Sequence, residues 1–318
     1  MWHGDVTIRL GHIHGCLKLV FGSTWPKLEK YSMEGEHERQ SLKEENPPNF
    51  TKTAFNYQAR ELTDEERLLL EKQNSRLVTG YQAAKLERDA KKYWDLFYKR
   101  NDTRFFKDRH WTTREFEELL GATTCSSTRV LLEVGCGVGN FLFPLIEEGL
   151  DLFVYACDIS AEAIRLLKEN PLYSDNIKAF QADITSDQLL SEIPEESVNI
   201  VTLIFVLSAI HPDKFSSSLR TIFRVSQPGG IVLFRDYGLY DMAQLRFKAG
   251  NKISENCYMR QDGTRSYFFS LEEVQKLFTD AGFELICNSY IHRRTVNKKE
   301  GIDVPRIFIQ AKFRKPVG

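Results

Sequence analysis

The chain has 318 residues, 42% of them hydrophobic and 27% charged, with a formal net charge of −1, which admits one large domain with an appendage or two small ones. No run of apolar residues approaches the roughly 20 that a membrane-spanning helix needs, so a bilayer is not the expected solvent. The six cysteines (Cys16, Cys125, Cys136, Cys157, Cys257 and Cys287) are scattered without a CxxC pair, a pattern of reduced thiols and not of a secreted disulfide framework.

Residues 1–60 lack sustained periodicity and contain the breaker-rich run Glu44-Glu45-Asn46-Pro47-Pro48-Asn49, so they read as a disordered or loosely attached extension. Trp2–Leu28 is poor in acids, a faint hint of organelle targeting, but lacks the Arg- and Ser-rich character of a transit peptide. His12, His14 and Cys16 alternate as metal ligands would, yet alternation in a short apolar stretch assigns no metal. Helical reading begins at Thr63-Asp64-Glu65-Glu66, a capping-box pattern. Ala83, Leu86, Ala90, Trp94 and Phe97 then recur at three- and four-residue steps and share one face of a second helix. Tyr98 falls four residues after Trp94, beside it on that helix. An aromatic, basic connection from Phe105 to Arg114 completes an N-terminal helical region over residues 61–128.

From residue 129 to 318 the rhythm changes. Strands are expected at 129–134, 152–157, 177–181, 198–206 and 231–236, with helices near 140–148, 160–169, 186–191 and 213–225 between them. A helix at 270–281 and late strands at 283–290 and 304–313 follow. Alternation of this kind predicts an α/β fold, a doubly wound and mostly parallel seven-stranded sheet with an N-terminal helical extension.

The strongest motif is Leu132-Glu133-Val134-Gly135-Cys136-Gly137-Val138-Gly139-Asn140, between a strand and a helix. Glycines there let the backbone turn tightly and approach a ligand, although a plain strand-to-helix turn uses them as well. The dinucleotide fingerprint wants a further glycine at 140, where this chain has Asn. Glu133, ending the first strand, suits a nucleoside without a pyrophosphate better than NAD. Asp158 ends the second strand, 23 residues past Gly135, where a carboxylate accepts hydrogen bonds from ribose hydroxyls. Asp183 follows the third strand, placed for an exocyclic adenine amine. An acid closing each of three successive strands points to a nucleoside-cofactor site.

At these residues the chain resembles the class I S-adenosylmethionine-dependent methyltransferases, a Rossmann-like family, over about residues 129–313. The resemblance implies that the loop at Gly135 and Gly137 borders the methionine moiety, that Asp158 holds the ribose, and that Asp183 with Ile184 reads the adenine beside Ile204. The fourth-strand tail Ile204-Phe205-Val206-Leu207 lacks the Asn/Asp-Pro-Pro-aromatic motif of exocyclic-amine methylation. No Pro-Cys pair offers the nucleophile of carbon-5 methylation. Direct transfer to an atom that is already nucleophilic remains.

Outside the cofactor motifs, Trp94-Asp95-Leu96-Phe97-Tyr98, Phe106-Lys107-Asp108-Arg109-His110-Trp111, Phe234-Arg235-Asp236-Tyr237-Gly238 and Arg260-Gln261-Asp262-Gly263-Thr264-Arg265 resemble the eukaryotic tRNA N(3)-methylcytidine methyltransferases. The tail Thr295-Val296-Asn297-Lys298-Lys299-Glu300-Gly301 is most similar to the methyltransferase-like protein 6 branch. The match spans roughly residues 80–316. It implies S-adenosylmethionine as cofactor, Trp94 and Tyr98 closing over it, and methylation of cytosine N3 at position 32 of the anticodon loop. It further implies serine tRNAs as substrates, seryl-tRNA synthetase as an accessory protein, and a cytoplasmic and nuclear location, with the mitochondrion left open by the N-terminus.

Asp236 is the expected stabiliser of the ring cation formed in such a transfer, with Arg235 orienting the base or a phosphate and Tyr237 stacking on it. The competing reading makes Arg235 and Asp236 a structural ion pair. His211 reads as a helix-start residue. Charge is segregated along the chain: residues 130–230 hold 14 acidic against 6 basic side chains, residues 85–114 hold 10 basic against 5 acidic, and residues 292–318 hold 8 against 2. RNA grip is accordingly expected from Lys99, Arg100, Lys107, Arg109, His110, Arg246, Lys298 and Lys299, each of which alone is ordinary surface charge. The alternatives are a methyltransferase of protein or small molecules, since fold does not fix substrate, and a non-catalytic cofactor-fold subunit that binds RNA.

Overall fold

In the computed structural model, which describes residues 59–121, 128–297 and 302–318, Thr63 opens the first helix as its pattern predicts. Its hydroxyl accepts from Glu66 N while Glu66 reaches back to Thr63 N, and helix α1 runs Asp64–Asn74. The single helix expected around Trp94 is two: α2 (Gly80–Arg88) and α3 (Ala90–Asn101) meet at Asp89, whose φ of −98° and ψ of 11° are not helical. The apolar spacing survives the break, which is why periodicity alone does not show it. Short turns follow, α4 (Thr112–Glu115) and a 3-10 turn at Glu117–Leu119.

Five parallel strands form the body of the sheet: β1 (Arg129–Val134), β2 (Leu152–Asp158), β3 (Ile177–Gln181), β4 (Val198–Ile204) and β5 (Ser226–Tyr237). Helices α5 (Leu142–Glu147), α6 (Ala161–Lys168), α7 (Gln188–Glu192) and α8 (Phe215–Val225) connect them. A short helix α9 (Met242–Leu245) and a small antiparallel sheet, β6 (Lys252–Ser254), β7 (Cys257–Met259) and β8 (Arg265–Tyr267), are inserted before α10 (Leu271–Asp280). Three-residue strands carry too little alternation to be read from sequence. Strands β9 (Glu284–Asn297) and β10 (Ile302–Arg314) then close the large sheet in the order β3-β2-β1-β4-β5-β10-β9, with β10 antiparallel to both neighbours.

The buried parallel strands place alternate side chains on opposite faces. Leu131, Ile200 and Leu233 pack with α5 and α6, while Leu132, Val201 and Val232 pack with α7, α8 and α10. Winding reverses at the β1/β4 boundary, and ligands of such sheets bind beyond the carboxyl ends of the strands there. Strands β9 and β10 are longer than expected. Pairing of β10 with β5 begins at Phe308, so its first residues pair with β9 alone and carry the hairpin past the carboxyl end of β5. Among the described residues no helix is long and apolar enough to cross a membrane, and Cys136, Cys157, Cys257 and Cys287 are free. The segment before residue 59, with His12, His14 and Cys16, lies outside the described residues, as do Cys125, Lys298 and Lys299.

Candidate functional site

A cavity opens beyond the carboxyl ends of β1, β2, β3 and β4, and the residues singled out as cofactor ligands line it together: Glu133, Gly135 and Gly137, Asp158, Asp183, Ile184 and Ile204. Gly137 has a φ of +53°, and a Cβ there would stand 2.7 Å from the Tyr98 hydroxyl; glycine alone lets this loop and that ring share the space. Asp158 is 7% exposed, and its two oxygens accept from Gly137 N and Ser160 N, each at 2.9 Å. Burial pushes its pKa up to about 6 against those two donors. Asp183 closes a tight turn, its Oδ1 accepting from Thr185 N at 2.9 Å and Thr185 Oγ1 at 2.7 Å.

Glu133 is 5% exposed and its Oε2 is buried with no hydrogen-bond partner in the protein. Burial pushes its pKa up to about 8, partly offset by the Arg109 guanidinium. Glu133 lines the cavity, and a buried carboxylate oxygen without a partner is an unmet acceptor, suited to a cationic or N–H group. A carboxyl whose folded-state pKa lies above its unfolded value contributes stability that is fully present below pH ~4.5 and lost as the pH rises through 8. The melting temperature of the chain without ligand is therefore expected to fall between pH 6 and 8.5, and Glu133→Gln to flatten that fall. An equal slope in the variant would remove Glu133 from the account.

The far wall comes from the N-terminal helices. Trp94 and Tyr98 line the cavity with ring centroids 6.2 Å apart, and Tyr98 is buried. Two latches that the sequence did not reveal hold this wall. Glu87 pairs with Lys214 at 2.5 Å and with the buried Arg265 of β8, while Asp95 accepts from Ser160 Oγ at 2.7 Å. Glu87 and Arg265 lie 178 positions apart, and no local pattern announces such a pairing.

The expected catalytic trio is placed differently. Neighbouring residues of a strand face opposite ways, so Arg235 and Asp236 do not pair, and neither lines the cavity. Arg235 is buried against Glu115 and Gln310, its guanidinium 4.3 Å from the Trp111 ring centroid. Asp236 is fully buried, accepts from Ser208 N at 3.0 Å and Tyr237 N at 2.9 Å, and has its pKa pushed up to about 6 by burial. It holds the 3-10 turn Leu207–Ala209 from beneath and does not face the crevice. Tyr237 is one ring removed from the cavity, 5.0 Å from Phe205, which lines it. Phe205 has a φ of +60°, costly for an aromatic residue, and it lines the cavity. His211 accepts from Asp213 N and caps the turn Pro212–Lys214.

Of the expected RNA-gripping residues, Lys99, Arg100, Lys107 and His110 are exposed on one stretch of chain. Arg109 turns inward over the Phe205 ring at 5.1 Å and joins the cavity wall. Arg246 is half-buried. Arg293, Arg294 and Arg306 stand at facing positions of the β9/β10 overhang, Arg293 opposite Arg306.

A family model described as a methyltransferase domain matches residues 98–288. The tRNA N(3)-cytidine methyltransferase METTL6 of Homo sapiens is 58% identical over 261 residues, covering 81% of this chain and 92% of that protein. The Mus musculus protein of the same name matches equally. The tRNA N(3)-cytidine methyltransferase METTL2 of Danio rerio is 39% identical over 288 residues, 79% of this chain and 82% of that one. Among solved structures, a SAM-dependent methyltransferase from Anabaena variabilis aligns with a TM-score of 0.52 at 15% identity, covering 72% of this chain and 94% of that one. At that identity the likeness speaks for the fold alone.

Proposed function

Because the chain belongs to the family of tRNA N(3)-cytidine methyltransferases, we propose that it methylates N3 of a cytosine in tRNA with S-adenosylmethionine as methyl donor. The observation that carries the reading is the cavity itself, where Glu133, Asp158 and Asp183 close three adjacent strands under Trp94 and Tyr98. Asp158 would hold the ribose hydroxyls, Asp183 and Ile184 the adenine beside Ile204, and Glu133 the amino group of the methionine moiety. The unpartnered Glu133 oxygen supports that fit. S-adenosylmethionine, when bound, supplies an electrophilic methyl group on a sulfonium.

Cytosine N3 carries an in-plane lone pair and is neutral at pH 7, so the protein need not remove a proton. Its task is alignment and the exclusion of water. N3 lies on the pairing edge, so the base must leave its stack. Phe205, backed by Tyr237 and by Phe308 at 5.4 Å, offers an aromatic platform in the cavity wall. The buried Asp236 fixes the turn that follows Phe205. Exposed Lys99, Arg100, Lys107 and His110 give the RNA backbone its electrostatic footing, whereas Arg293, Arg294 and Arg306 of the β9/β10 overhang are each paired with a carboxylate. We extend the reading to position 32 of the anticodon loop, serine tRNAs and a seryl-tRNA synthetase helper on the family resemblance alone.

The test is to incubate the purified chain with labelled S-adenosylmethionine and total tRNA, with and without cell extract, and to identify the labelled nucleoside by mass. Label is expected in 3-methylcytidine. Cofactor binding with no label in any nucleoside would move the search to protein and small-molecule acceptors. Replacing Lys99, Arg100 and Lys107 together by alanine should flatten the salt dependence of tRNA binding, by about 0.7–0.9 in log–log slope for each phosphate that is no longer neutralised. An unchanged slope would place the grip elsewhere.

A further inference from the structure

Asn140 stands where the dinucleotide fingerprint has its last glycine, and its side chain does not lie idle in that place. The Nδ2 donates to Asp108 Oδ1 at 2.9 Å and to Phe106 O at 3.3 Å, while its backbone carbonyl accepts from Arg109 N at 2.8 Å. Three hydrogen bonds from one residue of the glycine loop thus span Phe106 to Arg109. That stretch belongs to neither α3 nor α4, so its course depends on such tethers. A further one lies at its other end, where the Arg109 carbonyl accepts from Thr112 N and Oγ1. The residue so held is Arg109, whose guanidinium lies 5.1 Å from the Phe205 ring and close enough to Glu133 to oppose its burial. Arg109 therefore sits where the cofactor end of the cavity meets the aromatic platform, with Glu133 on one side and Phe205 on the other.

We propose that Asn140 is a positioning residue that acts through Arg109: it ties the glycine loop to the Arg109 segment, so that the loop bordering the cofactor also sets the guanidinium at the target base. The proposal rests on the methyltransferase reading above. In that role Arg109 presents planar N–H donors to the carbonyl oxygen next to the reacting nitrogen of a base stacked on Phe205. A glycine at 140 would keep the turn but lose both side-chain bonds. Asn140 then serves the target and not the cofactor.

The test measures single-turnover methyl transfer at saturating S-adenosylmethionine on a tRNA that the wild-type chain modifies, together with cofactor affinity and amide hydrogen exchange over residues 105–111. Asn140→Ala should slow transfer by roughly 30-fold, the scale of one misplaced positioned group, and leave the cofactor Kd within about threefold, a small step on the affinity scale. Exchange across 105–111 should rise. The double variant Asn140→Ala/Arg109→Ala should be no slower than Arg109→Ala alone, as expected when one residue works through the other. Asn140→Asp sets a carboxylate against Asp108, and adding Asp108→Asn to it should recover most of the rate by restoring a donor–acceptor pair. Additive losses in the double variant, or a cofactor Kd that weakens in step with the rate, would overturn the proposal. If the wild-type chain modified no tRNA, the functional reading would fail first. The tether would then stand or fall on hydrogen exchange, and unchanged exchange in Asn140→Ala would refute it.

Discussion

Asp158→Ala is expected to lose cofactor binding and methyl transfer together. Each oxygen of Asp158 is engaged by one backbone donor, Gly137 N on one side and Ser160 N on the other. The carboxylate is thus fixed in orientation at the end of β2 with acceptor capacity left toward the cavity it lines. Two charge-assisted hydrogen bonds to ribose hydroxyls at about 1.5–3 kcal/mol each amount to roughly 10²–10⁴ in Kd. The alanine variant also strands the buried Gly137 amide, which loosens the loop that borders the ligand. Asp158→Asn keeps one acceptor and should lose only about tenfold, since a neutral acceptor makes a weaker bond than a carboxylate. Calorimetric titration with S-adenosylhomocysteine, alongside circular dichroism to confirm the fold, makes the measurement. A Kd within threefold of wild type in the alanine variant would remove Asp158 from the binding site.

Arg235→Ala is expected to act on stability and not first on chemistry. Its guanidinium is buried between the Trp111 ring at 4.3 Å and the Phe308 ring at 5.4 Å, and it pairs with Glu115, which also holds Arg293 at 2.8 Å. Burial pulls its pKa down to about 10, and Glu115 works against that shift. Removing one partner of a buried ion pair costs about 3–5 kcal/mol when the other charge is left uncompensated, and because Arg293 still pairs with Glu115 the lower end, about 3 kcal/mol, is expected. For a domain of this size that lowers the melting temperature by roughly 10 °C. Arg235→Lys keeps the charge but not the planar stack, and should fall between. An unshifted melting temperature with abolished methyl transfer would return Arg235 to the direct role in orienting the base that its motif suggests.

Much of this architecture is legible in the chain because it is local. Strands at 129–134, 152–158 and 177–181 are apolar runs closed by turn residues, and each predicted boundary falls within a residue or two of the observed one. The acids Glu133, Asp158 and Asp183 could be placed in one site beforehand, because residues that end adjacent parallel strands must emerge at the same edge of a sheet. Trp94 and Tyr98 could be paired from their four-residue spacing, although the break at Asp89 could not be seen. Strand alternation already implied that Arg235 and Asp236 face opposite sides, a constraint that outranks the ion-pair reading their adjacency invites.

Residues whose partners are distant in sequence take their roles only from the folded chain. Glu115 reaches Arg235 across 120 positions and Glu87 reaches Arg265 across 178, and these partners turn candidate catalytic or surface charges into anchors. Arg109 is one basic residue among ten in its stretch until Asn140 and Phe205 draw it into the cavity. The bounds of the first three strands and the acids that close them follow from near neighbours, through hydrophobic period and strand-end position, whereas the lengths of β5, β9 and β10 and the small sheet β6–β8 do not. The role of each buried charge depends on which opposite charge or ring the folded chain brings to it, and a low-dielectric interior decides that role only once the partner has arrived.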